Sequence, residues 1–335
     1  MPDVSPINLP TDPLPGHRIS LQRIAAARDI IDPVFLNAPQ FACEPLSAAL
    51  GCELTLKLET ANPIRCFKGR GASFLVSTRA DAGAFDGRPV VAASAGNWGQ
   101  AVAYACRARN IPLTLFAAET ANPLKVDLMR ALGADMKLAG ADFDAAKDAA
   151  AAYTAEQNGV MLVDGLDVAS CEGAGTMAVE LMAGSTVPDV VVVPLGNGAM
   201  LNGIARWVKA VAPATDVVAV QASGADAMEA SWRQGEVIVR DKAETIADGI
   251  GVRVPVPEAV DDMRGIVDDV MLVEDETIIQ GMKMMMRHAG LVTEPSGAVG
   301  IAALLTDRKR FAGRRVATII CGSNVAPGDV HLLLD

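Results

Sequence analysis

The chain of 335 residues has very little histidine, which argues against histidine-dependent chemistry. His17, His288 and His331 accompany no nucleophile motif such as GxSxG, so acyl transfer by a serine–histidine pair has little support. The six cysteines form no CxxC pair and no zinc-ligand spacing, and we expect no bound metal. A lysine therefore has to be considered as the base.

Long apolar runs and an excess of basic charge are also missing. No run of 18 apolar residues is present and the N-terminal stretch lacks a signal-peptide pattern, so we expect a cytoplasmic protein with no membrane partner. The net charge of −11 disfavours nucleic acid, because phosphate backbones are bound by clustered Lys and Arg. With 51% hydrophobic residues, the chain can form a large core in one or two domains.

Strand and helix patterns alternate through most of the chain. The valine run at 190–193 is typical of a strand buried on both faces, as parallel sheets require. The alternation predicts an open α/β fold of two mostly parallel sheet layers with flanking helices and a ligand cleft at the carboxyl ends of the strands. The proline-rich residues 1–19 are expected to form an extended arm. Strands are predicted at 53–58, 89–93, 113–117, 136–138, 160–163, 190–193, 217–220, 271–273 and 316–320.

Two glycine-rich loops, 94–100 and 194–200, each follow a predicted strand and precede a predicted helix. Successive amides in such a turn, together with the helix dipole, favour a bound phosphate. A dinucleotide is a poorer fit, because Leu201 stands where GxGxxG needs its third glycine, and a purely structural turn is the other alternative. Asn97 in the first loop is either a ligand for a ring or carboxylate or a helix N-cap.

Lys68 lies among small residues in the segment 66–72, CFKGRGA, where its amine can approach a flat cofactor. The alternative for a single lysine is a solvated surface charge. Cys321, directly after the strand at 316–320, reaches the same edge of the sheet unless it is a plain buried thiol. Together the loops and the lysine predict a phosphorylated cofactor bound covalently through Lys68.

A series of motifs in order along the chain resembles the threonine/serine dehydratase group of fold-type II pyridoxal-phosphate enzymes, which have a tryptophan synthase β-like fold. The resemblance implies an active site in the cleft between a large domain, 1–65 with 165–335, and a small domain, 66–164, in a homodimer. The motifs are LKLE at 56–59, FK at 67–68 with RGA at 70–72, SAGN at 94–97, Lys125 with LGA at 132–134, GAGT at 173–176, GNGAM at 196–200, ADG at 247–249, EPSGA at 294–298 and CGSN at 321–324.

The resemblance also implies pyridoxal 5'-phosphate as the cofactor and a role for each site residue. Lys68 would bind the cofactor as an imine and act as the base, and Phe67 would pack against the ring. Cys321 would face the pyridine nitrogen as a neutral partner, which suits elimination more than transamination. The remaining contacts would come from Asn97 to the ring hydroxyl, from Ser94, Asn97 and Trp98 to the substrate, and from Gly196, Asn197, Gly198, Ala199 and Met200 to the phosphate.

The implied reaction is β-elimination of water from a β-hydroxy-α-amino acid, which gives a 2-oxo acid and ammonia. The rivals are β-replacement, whose Thr-Ser-Gly-Asn-Thr-Gly loop is missing here, and a non-catalytic protein that binds a phosphorylated ligand. A chain that ends soon after the Cys321 loop leaves no room for a regulatory domain, so we expect a role in amino-acid catabolism.

Departures from the family pattern refine this hypothesis. Ala95 replaces the serine that serves serine racemases as the second acid, so dehydration is favoured over racemisation. Trp98 replaces the usual histidine and either shapes a pocket for a bulkier substrate or packs at the domain interface. Cys66 and Gly69 also depart from the pattern and are expected to affect cofactor binding or pocket shape. Gln221 and Ala227 stand where some relatives carry acidic metal ligands.

Overall fold

Ten β-strands form the framework of the protein in the computed structural model, which describes residues 9–184 and 186–333. In chain order these are β1 (Gln40–Ala42), β2 (Glu53–Leu58), β3 (Val90–Ala93), β4 (Leu113–Ala117), β5 (Asp135–Leu138), β6 (Val160–Leu162), β7 (Val190–Pro194), β8 (Asp216–Ala222), β9 (Asp269–Val273) and β10 (Arg315–Ile320). One sheet has the order β1-β2-β10-β7-β8-β9 and the other β5-β4-β3-β6. All neighbouring strands are parallel except β1 and β2.

Helices follow most of the strands, and polar side chains cap several of them. Ser20, Asn122 and Asp142 accept hydrogen bonds from amides in the first turns of the helices that they precede. Among the described residues, no helix is both long and apolar enough to cross a bilayer. The helices are α1 (Leu21–Ala27), α2 (Glu44–Leu50), α3 (Lys68–Asp81), α4 (Asn97–Ala108), α5 (Pro123–Ala131), α6 (Phe143–Glu156), α7 (Val168–Met182), α8 (Ala199–Val211), α9 (Ala227–Gln234), α10 (Pro257–Asp262), α11 (Asp275–Ala289), α12 (Pro295–Thr306) and α13 (Arg308–Phe311).

The valines of β7 show why the six-stranded sheet lies at the centre of the core. Successive side chains of a strand point to opposite faces of the sheet. Val191 and Val193 therefore pack with α7 and α8 on one face, while Val190 and Val192 pack with α11 and α12 on the other. Helices cover both faces, so every residue of β7 is buried.

The structure confirms the predicted α/β class with two mostly parallel sheets. The strands predicted at 53–58 and 113–117 have these bounds, and the other predicted strands differ by one or two residues at either end. The sequence does not predict β1, because it is three residues long and mostly exposed, which leaves no buried periodicity to detect. The division into domains at residues 66 and 165 stays a prediction.

The arm predicted at 1–19 lies partly outside the described residues, which begin at residue 9. Residues 9–19 contain no helix or strand, as expected. Two ion pairs hold this segment: Arg206 Nη2 donates to Asp12 Oδ1 at 2.5 Å, and Arg18 Nε donates to Asp262 Oδ1 at 2.8 Å. The arm is thus attached to α8 and α10.

Four buried charges join β2 to α3 and α7, and we call them the buried ion-pair network: Lys57, Glu59, Arg70 and Glu180. Arg70 donates to Glu59 Oε2 at 2.8 Å and to Glu180 Oε1 at 2.6 Å, while Lys57 Nζ donates to Glu180 Oε2 at 2.5 Å. Burial alone would raise the pKa of Glu180, but the hydrogen bonds and charges of Arg70 and Lys57 lower the pKa below its ordinary value. The two cations and two anions cancel, so no buried charge is left uncompensated.

Replacing Arg70 with Ala should destabilise the protein strongly, because Glu59 and Glu180 would lose their main partner inside the core. We expect a loss of about 3 to 5 kcal/mol in the free energy of unfolding. Urea unfolding of the cofactor-free protein, followed by circular dichroism, measures it. Arg287→Ala, at an exposed position of α11, is the matched control and should change stability by less than about 0.5 kcal/mol. Equal stabilities of the two variants would show that the network contributes little.

Candidate active site

The carboxyl ends of strands from both sheets surround one cavity of about 740 Å³, which we call the active-site cavity. Its wall contains the loops that follow β3, β6, β7 and β10, as expected for open parallel sheets. Ala199 does not line it and instead begins α8, just behind the wall. The predicted site residues that the cavity brings together are Phe67, Lys68, Ser94, Asn97, Trp98, Gly196, Asn197, Gly198, Met200 and Cys321.

Lys68 is the first residue of α3 and its side chain reaches into the active-site cavity. The side chain is only 13% exposed, so it is not the solvated surface charge that the sequence left open. Its Nζ donates to Asp164 Oδ2 and lies 5.0 Å from the centroid of the Phe67 ring. The amide of Phe67 donates to the carbonyl of Cys321 at 2.9 Å, which ties the start of α3 to the end of β10.

The second glycine loop forms a close-fitting turn between β7 and α8. Gly198 has φ +94°, a conformation that L side chains rarely adopt. A Cβ at Gly196 would lie 3.1 Å from the carbonyl oxygen of Gly249, so the two loops approach closely. The amide of Ala199 donates to Asn197 Oδ1 at 3.3 Å. Gly196, Asn197, Gly198 and Met200 thus line the cavity at the start of a 13-residue helix, and we call this turn the phosphate cradle because a helix N-terminus suits a phosphate.

The first glycine loop brings Asn97 into a polar cluster with Glu294 and Asn324. Asn97 Nδ2 donates to Glu294 Oε1 at 2.8 Å, and Asn324 Nδ2 donates to Asn97 Oδ1 at 2.8 Å. Asn97 is the first residue of α4 and Gly96 occupies the cap position, so Asn97 is not the N-cap. One of its two amide hydrogens is used here, and the other remains for a ligand.

Burial of Glu294, together with the negative charge of Asp248, raises the pKa of Glu294 to about 7. Hydrogen bonds from the amide of Asn324 and from Asn97 lower the pKa of Glu294, but by less than burial raises it. Asp248 in turn forms an ion pair with Lys125 at 2.6 Å across the mouth of the cavity. Glu294 therefore takes up or releases a proton near neutral pH.

Cys321 and Ser296 supply neutral polar groups to the cavity wall. Burial raises the pKa of Cys321 well above its ordinary value, so its thiol stays protonated. Cys321 Sγ donates to the carbonyl of Ser296 at 3.5 Å. Ser296 Oγ is buried and has no hydrogen-bond partner among the described residues. An unpartnered hydroxyl, a phosphate cradle and an amine in one cavity fit pyridoxal phosphate.

Ser94 and Trp98 lie on the first glycine loop and on α4. Ser94 Oγ accepts a hydrogen bond from the amide of Gly96 at 3.1 Å. Trp98 is buried among residues of α3 and α4 but also lines the cavity, and its indole Nε1 has no partner among the described residues. Its N–H is therefore a buried donor that no described protein group satisfies.

Two of the residues that depart from the family pattern, Cys66 and Gly69, lie away from the cavity. Cys66 is fully buried and does not line it. Gly69 faces Phe35, whose ring would lie 2.2 Å from a Cβ at this position. The small residue at 69 is thus needed for packing of α3. Neither Cys66 nor Gly69 lines the cavity, and their effect on cofactor binding or pocket shape stays a prediction. Among the described residues, no cluster of His, Cys, Asp and Glu could hold a metal ion.

Sequence reasoning assigned no role to Asp164, Glu294 or Ser296, although all three line the cavity. Glu294 and Ser296 belong to a motif that supports the resemblance, which was the available signal for them. Asp164 lies outside every motif, and only its position one residue after a predicted strand pointed to the cavity. Arg253 also lines the cavity and pairs with Asp144 at its mouth.

The chain is similar to known proteins over nearly its whole length. The family described as pyridoxal-phosphate dependent enzyme matches residues 31–322. The L-threonine ammonia-lyase of Thermotoga maritima is 32% identical over 315 residues, 94% of this chain and 77% of that protein. The beta-hydroxyaspartate dehydratase of Paracoccus denitrificans is 31% identical, covering 90% and 94%. Maize serine racemase has a TM-score of 0.86 at 28% identity, covering 92% of this chain and 95% of that one.

The raised pKa of Glu294 predicts a pH-dependent stability of the cofactor-free protein. Above pH 4.5 the unfolded chain ionises Glu294, whereas the folded protein keeps it protonated up to about pH 7. The stability that the protonated Glu294 contributes is fully present below pH 4.5 and is lost as the pH rises to 7. The free energy of unfolding should therefore fall by about 3 kcal/mol over this range. Glu294→Gln should remove this part of the pH dependence, and urea unfolding at several pH values measures it. Parallel curves for wild type and variant would contradict the prediction.

Proposed function

The chain belongs to the threonine/serine dehydratase group of fold-type II pyridoxal-phosphate-dependent enzymes, and from this premise we propose that it is an ammonia-lyase. It removes water from a β-hydroxy-α-amino acid and releases a 2-oxo acid and ammonia. The observation that carries the proposal is the amine of Lys68 inside a cavity that also holds the phosphate cradle and the neutral Cys321.

The roles proposed for the residues follow from their positions. Bound pyridoxal phosphate supplies an electron sink for the negative charge that develops at Cα. The amides of Gly196, Asn197, Gly198 and Met200 would hold its phosphate. Asn97 would bind its ring hydroxyl, Phe67 would pack against its ring, and Cys321 would keep a neutral thiol at its ring nitrogen. Lys68 anchors the cofactor and, once free, takes the proton from Cα. Ser94 holds the substrate carboxylate, because the one free amide hydrogen of Asn97 is used by the ring hydroxyl.

Dehydration is a better proposal than racemisation, although a serine racemase is among the similar structures. Racemisation needs a second proton donor on the face of the substrate opposite Lys68. Ala95 lines the cavity at the position where the resemblance expects that donor, and a methyl group has no proton to give.

For the substrate we propose a threonine- or serine-like amino acid, with bulkier analogues in the same class. The relatives act on different β-hydroxy amino acids by their names: threonine in one case and β-hydroxyaspartate in another. Trp98 supports the choice of an uncharged side chain, because its indole offers a large apolar face and a single hydrogen-bond donor. A homodimer in the cytoplasm stays our expectation.

The cofactor and the reaction are tested together on purified protein. With excess pyridoxal phosphate the protein should turn yellow, and borohydride should fix the cofactor on Lys68. Ammonia and 2-oxo acid should form from serine or threonine in a panel that includes 3-hydroxyaspartate and an aryl-serine. Lys68→Ala should lower turnover by at least about 1,000-fold, because anchor and base are lost together. Lys309→Ala, at an exposed position, should keep the wild-type rate.

Other outcomes of the same experiment would support the rival functions. Thioether formation from an added thiol, without ammonia, would indicate β-replacement. A protein that stays colourless with saturating cofactor would be a non-catalytic binder of another phosphorylated ligand. Full activity of Lys68→Ala would refute the proposed base.

The indole N–H of Trp98 can be tested separately from its ring. Trp98→Phe keeps an aromatic wall but removes the donor, and one lost hydrogen bond of about 1 kcal/mol should raise KM about fivefold with little change in kcat. Trp232→Phe, on α9 and outside the cavity lining, is the control. Identical KM values for the Trp98 variant and wild type would indicate that Trp98 only packs.

A further inference from the structure

Asp164 is the acidic side chain that meets Lys68 in the active-site cavity. Its Oδ2 accepts a hydrogen bond from Lys68 Nζ, and the two side chains are 12% and 13% exposed. Of the other carboxylates that line the cavity, Asp144 pairs with Arg253, Asp248 pairs with Lys125, Glu294 accepts from Asn97 and Asp142 accepts from the amide of Ala145. Asp241, the remaining one, makes no contact with Lys68. Asp164 is therefore the carboxylate that matches the amine.

Side-chain contacts from Asp167, Arg79 and Arg18 hold the loop that carries Asp164. Asp167 closes it, because its Oδ2 accepts a hydrogen bond from the amide of Val163 at 3.1 Å and its carboxylate pairs with Arg79. Arg18 donates to the carbonyls of Gly165 and Leu166 at 3.2 and 2.9 Å. These contacts hold the backbone on both sides of Asp164 without using its carboxylate.

Gly165 brings this loop against the phosphate loop. It has φ +81°, and a Cβ there would lie 2.9 Å from the carbonyl oxygen of Asn197. The Asp164 carboxylate is therefore placed by the same close-packed backbone that forms the phosphate cradle. A surface salt bridge with a freely moving carboxylate would need none of these contacts.

A base that takes a proton from carbon must be oriented toward that carbon, and the positive charge that it gains must be stabilised. When Lys68 takes the Cα proton, the C–H bond breaks, its electron pair stays on the substrate, and the neutral amine becomes an ammonium. A carboxylate in contact with that ammonium stabilises it, most of all in a mostly water-excluded site. The proton can then pass to the departing hydroxyl, which leaves as water with the electrons of the C–O bond.

We propose that Asp164 is the positioning residue for Lys68: it aims the free amine and stabilises the ammonium formed when Lys68 accepts the Cα proton. The proposal rests on the proposed function for the role of Lys68 as the base. The contact itself does not, since it exists in the protein without substrate.

The kinetic test compares Asp164→Asn with wild type on the best substrate of the panel. We expect kcat to fall about 10- to 100-fold with KM within about twofold, because the loss concerns proton transfer and not binding. The deuterium isotope effect on kcat with Cα-deuterated substrate should rise, since C–H cleavage becomes more rate-limiting. Asp164→Glu, which restores the charge, should recover part of kcat. Asp148→Asn makes the same charge change at an exposed position of α6 outside the cavity lining and should keep wild-type kinetics.

A second readout needs neither cofactor nor substrate. In the cofactor-free protein, acetic anhydride should acetylate Lys68 several-fold faster in Asp164→Asn than in wild type, because an amine no longer held as an ion pair is a better nucleophile. Mass spectrometry of the Lys68 peptide measures the rate, and thermal unfolding confirms that the variants are folded. If Asp164→Asn does not fold, Asp164→Ser takes its place.

The outcomes separate this proposal from the proposed function. Unchanged kcat, or a raised KM with unchanged kcat, would overturn the role of Asp164 while leaving the ammonia-lyase in place. Equal acetylation rates would show that the carboxylate does not hold the amine. If wild type releases no ammonia from any substrate, the proposed function fails, and the acetylation rates still decide whether Asp164 holds Lys68.

Discussion

The position of Lys68 depends on the buried ion-pair network at the beginning of α3. Arg70 lies two residues after Lys68, and its guanidinium is held by Glu59 after β2 and by Glu180 on α7. A helix whose first turn is fixed in this way cannot turn or slide without leaving charges unpaired inside the core. The network thus places a reactive amine at the edge of the six-stranded sheet by charges that take no part in the chemistry.

The cavity itself is closed by polar groups that bind each other across the two sheets. Asn97 begins α4, which follows β3 of the four-stranded sheet. Glu294 directly precedes α12, and Asn324 follows β10 of the six-stranded sheet. Buried polar groups that satisfy each other in this way define a unique arrangement at the cost of desolvation. The neutral Cys321, the unpartnered Ser296 hydroxyl and the second amide hydrogen of Asn97 are among the groups left for a ligand.

The sequence predicted best the features that depend on local residue pattern, and worst the contacts between residues that lie far apart in the chain. The valine strand β7 and the glycine loops follow from local pattern, since a doubly buried strand and a φ of +94° at Gly198 each demand particular residue types. Strand β1 and the role of Asp164 could not be predicted. A short exposed strand has no periodicity, and the pairing of residues 68 and 164 depends on how two loops from different parts of the chain meet.

The sequence by itself determined the α/β class, the glycine-rich loop after the valine strand, the lysine segment and the family, because each depends on local residue types or on motifs in a given order. Only the tertiary structure decided which groups surround that lysine. It brought Asp164 to the amine, buried Glu294 until its pKa reached about 7, and turned Gly69 toward Phe35 and away from the cavity. Proximity and burial are properties of the packed chain, and residues nearly one hundred positions apart carry no sign of them.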